Sequence, residues 1–193
     1  MADKLVKKQK DIFEAIKDKS LASTVSSLKT KMERLNKFKD KIILADVSGS
    51  MATFVDESHE IRAIDVVNHV LENFQGARLW EFSNRCKLAK NNKLSQPNSG
   101  TNMTEAFCVM KQEKFTQILL LTDGAPDDPI SALTEAVGLK IDIVYIGPKP
   151  VPQFLLDLAK VGSNTFVDVE LIKLDATEGS KQLENKIKGL LNA

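Results

Sequence analysis

The stretch KIILADVSGSM (41–51) decides the fold, because a short apolar run is followed at once by Asp46 and two serines. Such a run is typical of a central strand in a parallel sheet, where both faces of the strand are covered. A second run, TQILLL (116–121), is followed in the same way by Thr122-Asp123-Gly124. These two stretches therefore predict two central strands, each of which ends in polar residues.

Helical and extended patterns alternate around these two runs. Apolar residues recur at helical spacing over 64–74, 103–110 and 183–191, and prolines mark the starts of two further helices. Strands are predicted at 41–45, 78–83, 116–121, 141–146 and 164–169, with CKLAK (86–90) as the hairpin partner of 78–83. This alternation predicts an α/β fold with a doubly wound, mostly parallel, six-stranded sheet. Ligands bind such sheets at the carboxyl ends of the strands, where the strand order reverses.

Composition narrows the class of protein. The 193 residues carry a formal net charge of +1 and are 42% hydrophobic, which excludes a disordered chain. No apolar run approaches the roughly 18 residues that a membrane span needs, so we expect no span. Cys86 and Cys108 are the only cysteines, too few for a disulfide framework or a zinc cluster. We therefore expect a soluble protein of the cytoplasm.

Residues 1–37 form a basic segment ahead of the domain predicted at 38–193. The first 40 residues carry 11 basic and 6 acidic side chains, and apolar residues from Leu21 to Leu35 recur at spacings of 3 and 4. This pattern predicts an amphipathic helical segment, which either packs on the domain or serves self-association or partner docking. Nucleic acid is not an expected partner, because the segment lacks interleaved aromatic residues and an arginine cluster.

The polar residues that follow the strands include two carboxylates and three hydroxyls. Asp46 and Asp123 follow the two central strands, Ser48 and Ser50 come just after Asp46, and Thr101 opens the next predicted helix. Mg²⁺ prefers oxygen ligands and is usually held by one or two carboxylates with neutral oxygens and water. Turn and cap chemistry is the alternative, since Asp and Ser also favour strand ends and helix starts.

The sequence leaves two interpretations open for each of two pairs of residues near the candidate site. Asp127 and Asp128 either cap the helix that starts at Pro129 or add negative charge to the rim of the site. Met51 and Phe54, in the loop predicted at 51–58, either face solvent beside the site or pack under a helix.

Three motifs, LADVSGSM, SGTNMTEAF and LLLTDGAP, resemble in kind and order the metal-ion-dependent adhesion site of von Willebrand factor A domains. The resemblance covers residues 38–175 and implies a Rossmann-like fold with one short antiparallel edge strand, here CKLAK. It also implies Mg²⁺ or Mn²⁺ as the cofactor, held by Asp46, Ser48, Ser50, Thr101 and Asp123. Ser99 departs from the pattern, because a glycine commonly precedes the Gly-Thr pair, and we expect the change to be tolerated.

The resemblance implies a binding module rather than an enzyme. In the family a carboxylate of a protein partner often completes the coordination of the metal, and intracellular members often act as adaptors in larger assemblies, including ones with ring-shaped ATPases. We therefore expect a divalent-metal-dependent adaptor whose protein partner offers an Asp or Glu.

Two alternatives to the adaptor remain. One is a structural or oligomerisation module that binds its partner through residues 1–37, with the metal only stabilising the fold. The other, metal-assisted hydrolysis, is less favoured, because Ser48 stands where a haloacid-dehalogenase-type phosphatase needs a second acid.

Overall fold

The computed structural model describes residues 41–161, 164–171 and 176–192. The basic helical segment predicted at 1–37, and its boundary with the domain at residue 38, lie outside the described residues. The described part of the chain contains eight strands and five α-helices.

Six of the strands form one sheet. In chain order the strands are β1 (Lys41–Asp46), β2 (Phe54–Asp56), β3 (Ile61–Arg62), β4 (Arg78–Phe82), β5 (Cys86–Leu88), β6 (Gln117–Thr122), β7 (Lys140–Tyr145) and β8 (Phe166–Asp168). The sheet order is β5-β4-β1-β6-β7-β8, and neighbouring strands are parallel except for the antiparallel pair β4–β5. The predicted mostly parallel, six-stranded sheet with one antiparallel edge strand is therefore confirmed. The strand order reverses between β1 and β6.

Helices cover both faces of this sheet. They are α1 (Ala63–Leu71), α2 (Met103–Gln112), α3 (Pro129–Ala136), α4 (Gln153–Val161) and α5 (Ala176–Leu191). Because successive side chains of a strand point to opposite faces, Ile43 and Ala45 pack with α1 and α5, whereas Ile42 and Leu44 pack with α2, α3 and α4. Burial on both faces explains the continuous apolar runs of β1 and β6. None of the helices in the described ranges is long and apolar enough to cross a membrane.

Side-chain caps fix the starts of the two helices that follow the candidate site loops. Asn102 Oδ1 accepts a hydrogen bond from the Glu105 N–H at 3.0 Å, at the start of α2. Asp128 Oδ1 accepts from the Ser131 N–H at 3.1 Å, at the start of α3. The predicted cap at Asp128 is therefore confirmed, and it satisfies an N–H group that has no partner within the helix.

β1 begins with a buried positive charge. Lys41 is 6% exposed, and its Nζ donates to Asp142 Oδ2 of β7 and to the carbonyl oxygen of Leu190 in α5, both at 2.6 Å. The Thr165 N–H donates to Asp142 Oδ1 at 2.9 Å. Burial raises the pKa of Asp142, but the hydrogen bonds and the charge of Lys41 outweigh burial and hold that pKa below its usual range. The ion pair ties β1, β7 and α5 together near the amino end of β1.

The prediction of a loop over residues 51–58 is wrong in part, because this range contains strand β2. β2 pairs antiparallel with β3 as a separate two-stranded sheet that leads into α1. Strands of three and two residues are too short to show the alternation by which a strand is recognised in a sequence.

Candidate metal centre

Two acidic side chains meet at the point where the strand order reverses. Asp46 is the last residue of β1, and Asp123 directly follows β6, the parallel neighbour of β1. Asp46 is fully buried and Asp123 is 9% exposed. The fold thus places both predicted carboxylates at the edge of the sheet where such folds bind ligands.

Four of the five predicted site residues form one chain of hydrogen bonds. Asp46 Oδ1 accepts from the Ser48 N–H at 2.8 Å, and the hydroxyls of Ser48 and Ser50 lie 3.1 Å apart. Ser50 Oγ in turn donates to Asp123 Oδ1 at 2.8 Å. The loop that follows β1 therefore spans the space between the two carboxylates.

Thr101 reaches the same edge through its main chain. The loop before α2 is held to the first motif, since the Gly49 N–H donates to the Ser99 carbonyl oxygen at 3.0 Å. It is held to the residue directly after the third motif by the Thr101 N–H, which donates to Asp127 Oδ2 at 2.9 Å. The three motifs that are separate in sequence are thus hydrogen-bonded to one another, although Thr101 is joined to them by backbone atoms.

The two carboxylates are costly to ionise together. Burial, followed by the nearby charge of Asp123, raises the pKa of Asp46 to about 6, although hydrogen bonds from Ser48 and Thr122 oppose the rise. Burial likewise holds the pKa of Asp123 above its usual range, against the hydrogen bond from Ser50. Two neighbouring acids in this state favour a proton or a cation between them.

The donor set consists of oxygen atoms. Within the described ranges no three His, Cys, Asp or Glu side chains come together as a metal cluster. The candidate centre instead combines two carboxylates with hydroxyls, a set that suits Mg²⁺ or Mn²⁺ and suits zinc poorly.

Three residues that shape the centre are not predicted from the sequence. Thr122 Oγ1 donates to Asp46 Oδ2 at 2.7 Å and is fully buried. A Cβ atom on Gly147 would lie 2.2 Å from the carbonyl oxygen of Asp123, so only glycine fits there. Asn84 Oδ1 accepts from the Gly100 N–H at 3.1 Å. The sequence could have pointed to two of them by their positions, since Thr122 directly precedes Asp123 and Gly147 follows the apolar run of β7.

For Asp127 and Asp128, and for Met51 and Phe54, the two members of each pair differ in what they contact or how far they are exposed. Asp128 caps α3, whereas Asp127 contacts Thr101. Met51 is fully buried, whereas Phe54 is 46% exposed.

Ser99 has a φ of +56°, in the left-handed region where glycine is favoured. Its hydroxyl accepts a hydrogen bond from Asn84 Nδ2 at 2.5 Å. The hydrogen bond holds Ser99 in this conformation, and tolerance of the departure from glycine stays a prediction.

Comparison with known proteins supports the fold. No model of a known protein family matches the sequence, and no curated protein matches it. A solved structure, von Willebrand factor type A from Catenulispora acidiphila, matches with a TM-score of 0.52 and 15% sequence identity. The chain shares the fold of a von Willebrand factor type A protein. The match covers 75% of this chain and 41% of the other, so this chain corresponds to less than half of that protein.

Proposed function

We propose that the chain is a divalent-cation-dependent protein-binding module. Its cation site consists of Asp46, Ser48, Ser50, Thr101 and Asp123. The observation that carries the proposal is the pair of buried carboxylates at the ends of β1 and β6. They are joined by hydrogen bonds that run from Asp46 through the Ser48 N–H and the hydroxyls of Ser48 and Ser50 to Asp123. A divalent cation would offset the cost of ionising both acids, since Mg²⁺ is usually held by one or two carboxylates and neutral oxygens.

Each residue has a distinct task in this proposal. The Ser48 N–H and the Thr122 hydroxyl orient the carboxylate of Asp46, and each of the two donates to a different oxygen of it. The hydroxyls of Ser48 and Ser50 can offer lone pairs, because a hydroxyl is both a donor and an acceptor. Gly147 allows the main chain to approach closely enough to hold Asp123 in place.

A bound cation would supply an open position for a carboxylate of a partner protein. Two exposed apolar side chains lie close in sequence to the site loops and suit a protein interface: Phe54, four residues after Ser50, and Ile130, which is 79% exposed and two residues after Asp128. We assign the site a binding role and not a catalytic one, since Ser48 lacks the proton-transfer capacity of an acid. We also propose a cytoplasmic location, which the two free thiols, Cys86 and Cys108, suit.

Thermal unfolding of the full chain tests the cation site. Wild type, Asp46→Ala and the matched control Asp128→Ala are melted with Mg²⁺, with Mn²⁺ and with excess chelator. A cation at 100 times its dissociation constant adds about 2.7 kcal/mol to the free energy of unfolding, so the midpoint should rise for wild type and Asp128→Ala but not for Asp46→Ala. A wild type that responds to neither cation would contradict the proposal.

Partner capture separates the adaptor from its alternative. Wild type, Asp123→Ala and a chain without residues 1–37 are used as baits, each with Mg²⁺ and with chelator. The proposal expects capture to be lost with chelator and with Asp123→Ala. Capture that depends only on residues 1–37 would instead support binding through the basic segment.

A further inference from the structure

Asp127 is hydrogen-bonded to both main-chain polar groups of Thr101, its N–H and its carbonyl oxygen. The Thr101 N–H donates to Asp127 Oδ2 at 2.9 Å, and the Asp127 N–H donates to the Thr101 carbonyl oxygen at 3.0 Å. Asp128, the next residue, caps α3 through Ser131 and makes no contact of this kind. Two adjacent acids of the same loop therefore have different tasks.

The loop before α2 is shaped to receive this carboxylate. A Cβ atom on Gly100 would lie 2.5 Å from Asp127 Oδ2 and 2.9 Å from Asn84 Oδ1. Asn84 holds the other side of the loop, since it accepts from the Gly100 N–H and donates to the hydroxyl of Ser99. The absence of a side chain at Gly100 is thus what lets Asp127 reach the Thr101 N–H.

We propose that Asp127 is a positioning residue that fixes Thr101 relative to Asp123, an inference that rests on the proposed cation site. Asp127 and Asp123 share the loop after β6, so the reciprocal hydrogen bonds set the distance between the second and third motifs. A hydrogen bond from an N–H to a carboxylate is stronger than one between neutral groups. A threonine held in advance needs no ordering when the cation arrives, and loss of such a supporting partner typically weakens metal binding 10–100-fold.

Titration calorimetry of the full chain with Mg²⁺ tests this role in four variants. Asp127→Ala removes the acceptor, and we expect binding to weaken about 10-fold. Asp127→Asn keeps an acceptor oxygen at the same distance but removes the charge, and binding should stay within about 3-fold of wild type. Asp127→Glu keeps the charge but displaces the carboxylate by one methylene, and binding should weaken as in Asp127→Ala; it carries the test if Asp127→Ala does not fold. Asp128→Ala is the matched control, and it should lower the melting temperature without weakening Mg²⁺ binding.

Each contrary result has its own meaning. If Asp127→Ala or Asp127→Glu binds Mg²⁺ as tightly as Asp128→Ala, the positioning role is refuted and the cation site stands. If Asp127→Asn loses as much affinity as Asp127→Ala while Asp127→Glu does not, Asp127 acts by its charge and not through Thr101, which also refutes the inference. If wild type binds no Mg²⁺, the proposed function fails and the inference fails with it.

Discussion

The two ends of β1 carry buried charges that are handled in opposite ways. At the amino end, Lys41 pairs with Asp142 at 2.6 Å and also binds the Leu190 carbonyl oxygen. At the carboxyl end, Asp46 lies close enough to Asp123 for that charge to raise its pKa. One end therefore joins unlike charges, and the other joins like charges.

The difference separates a charge cluster that the protein neutralises by itself from one that fits the proposed cation site. The pKa of Asp142 lies below its usual range and that of Asp46 above it, although both side chains are almost fully buried. The protein supplies the countercharge at the amino end. At the carboxyl end, none of the interactions that shift the two acids in the described residues comes from a cationic side chain. Two buried acids without a cationic partner among the described residues fit the cation site that we propose.

The largest expected effect comes from breaking the amino end. Lys41→Met leaves Asp142 buried without its countercharge, and we expect the free energy of unfolding to fall by about 3–5 kcal/mol. Urea denaturation at pH 7 measures the loss. The control is Lys160→Met, which breaks the exposed pair with Asp157 and should change the free energy of unfolding very little. Equal, small losses in both variants would contradict a structural role for the buried pair.

The carboxyl end should respond to pH with the opposite sign. Folding raises the pKa of Asp46 from 3.8 to about 6, so the folded protein holds this proton more tightly than the unfolded chain. Without a cation, the contribution of Asp46 to stability therefore falls as the pH rises through about 4 to 6, by up to about 3 kcal/mol at 1.36 kcal/mol per pKa unit. Asp142, whose pKa is lowered, contributes stability above the ordinary carboxyl range and loses it as the pH falls below that range.

Urea denaturation of wild type and Asp46→Asn in chelator, from pH 4 to pH 7, measures the contribution of Asp46 to the free energy of unfolding. The difference between the two curves should grow in favour of Asp46→Asn as the pH rises, and Mg²⁺ at pH 7 should reduce it by stabilising wild type alone. Curves that stay parallel across this range would show that Asp46 does not titrate there.

The smallest expected effect concerns backbone strain at the carboxyl end. Ser99 has a φ of +56°, so Ser99→Gly should relieve strain, while it loses the hydrogen bond from Asn84. We expect a net gain of about 0.5 kcal/mol in the free energy of unfolding. Thr53 is the control, because its φ is −61° and Thr53→Gly should lower stability. A loss in Ser99→Gly as large as that in Thr53→Gly would show that the hydrogen bond outweighs the strain.

The central fold could be predicted because its cause is local. β1 and β6 are buried on both faces, and this burial is written in the sequence as apolar runs that match the observed strands to within one residue. The caps at Asp128 and Asn102 involve residues three positions apart, so they too are readable from the sequence. By contrast, the hairpin of β2 and β3 is too short for any periodic pattern.

The site could be predicted in kind but not in its contacts. The residue types and the sheet edge follow from the motifs, whereas the partner of Thr101 depends on how two loops 26 residues apart meet. The close approach of Gly147 to Asp123 arises in the same way, from the folded position of a third loop. The position of Lys41 at the start of an apolar run can be read from the sequence. Its ion-pair partner, Asp142, cannot, because it lies 101 residues away.

The opposite charges at the two ends of β1 also imply two kinds of genetic lesion. A destabilising change at Lys41 would expose the chain to chaperones and proteases. A loss of even about 1–2 kcal/mol in the free energy of unfolding can lower the abundance of a protein several-fold. A neutralising change at Asp46 would leave the chain folded and abundant. Alleles of the first kind should therefore behave as a reduced dose of the protein. Under the proposed function, alleles of the second kind should behave as a full dose of an inactive competitor in any complex that the rest of the chain still enters.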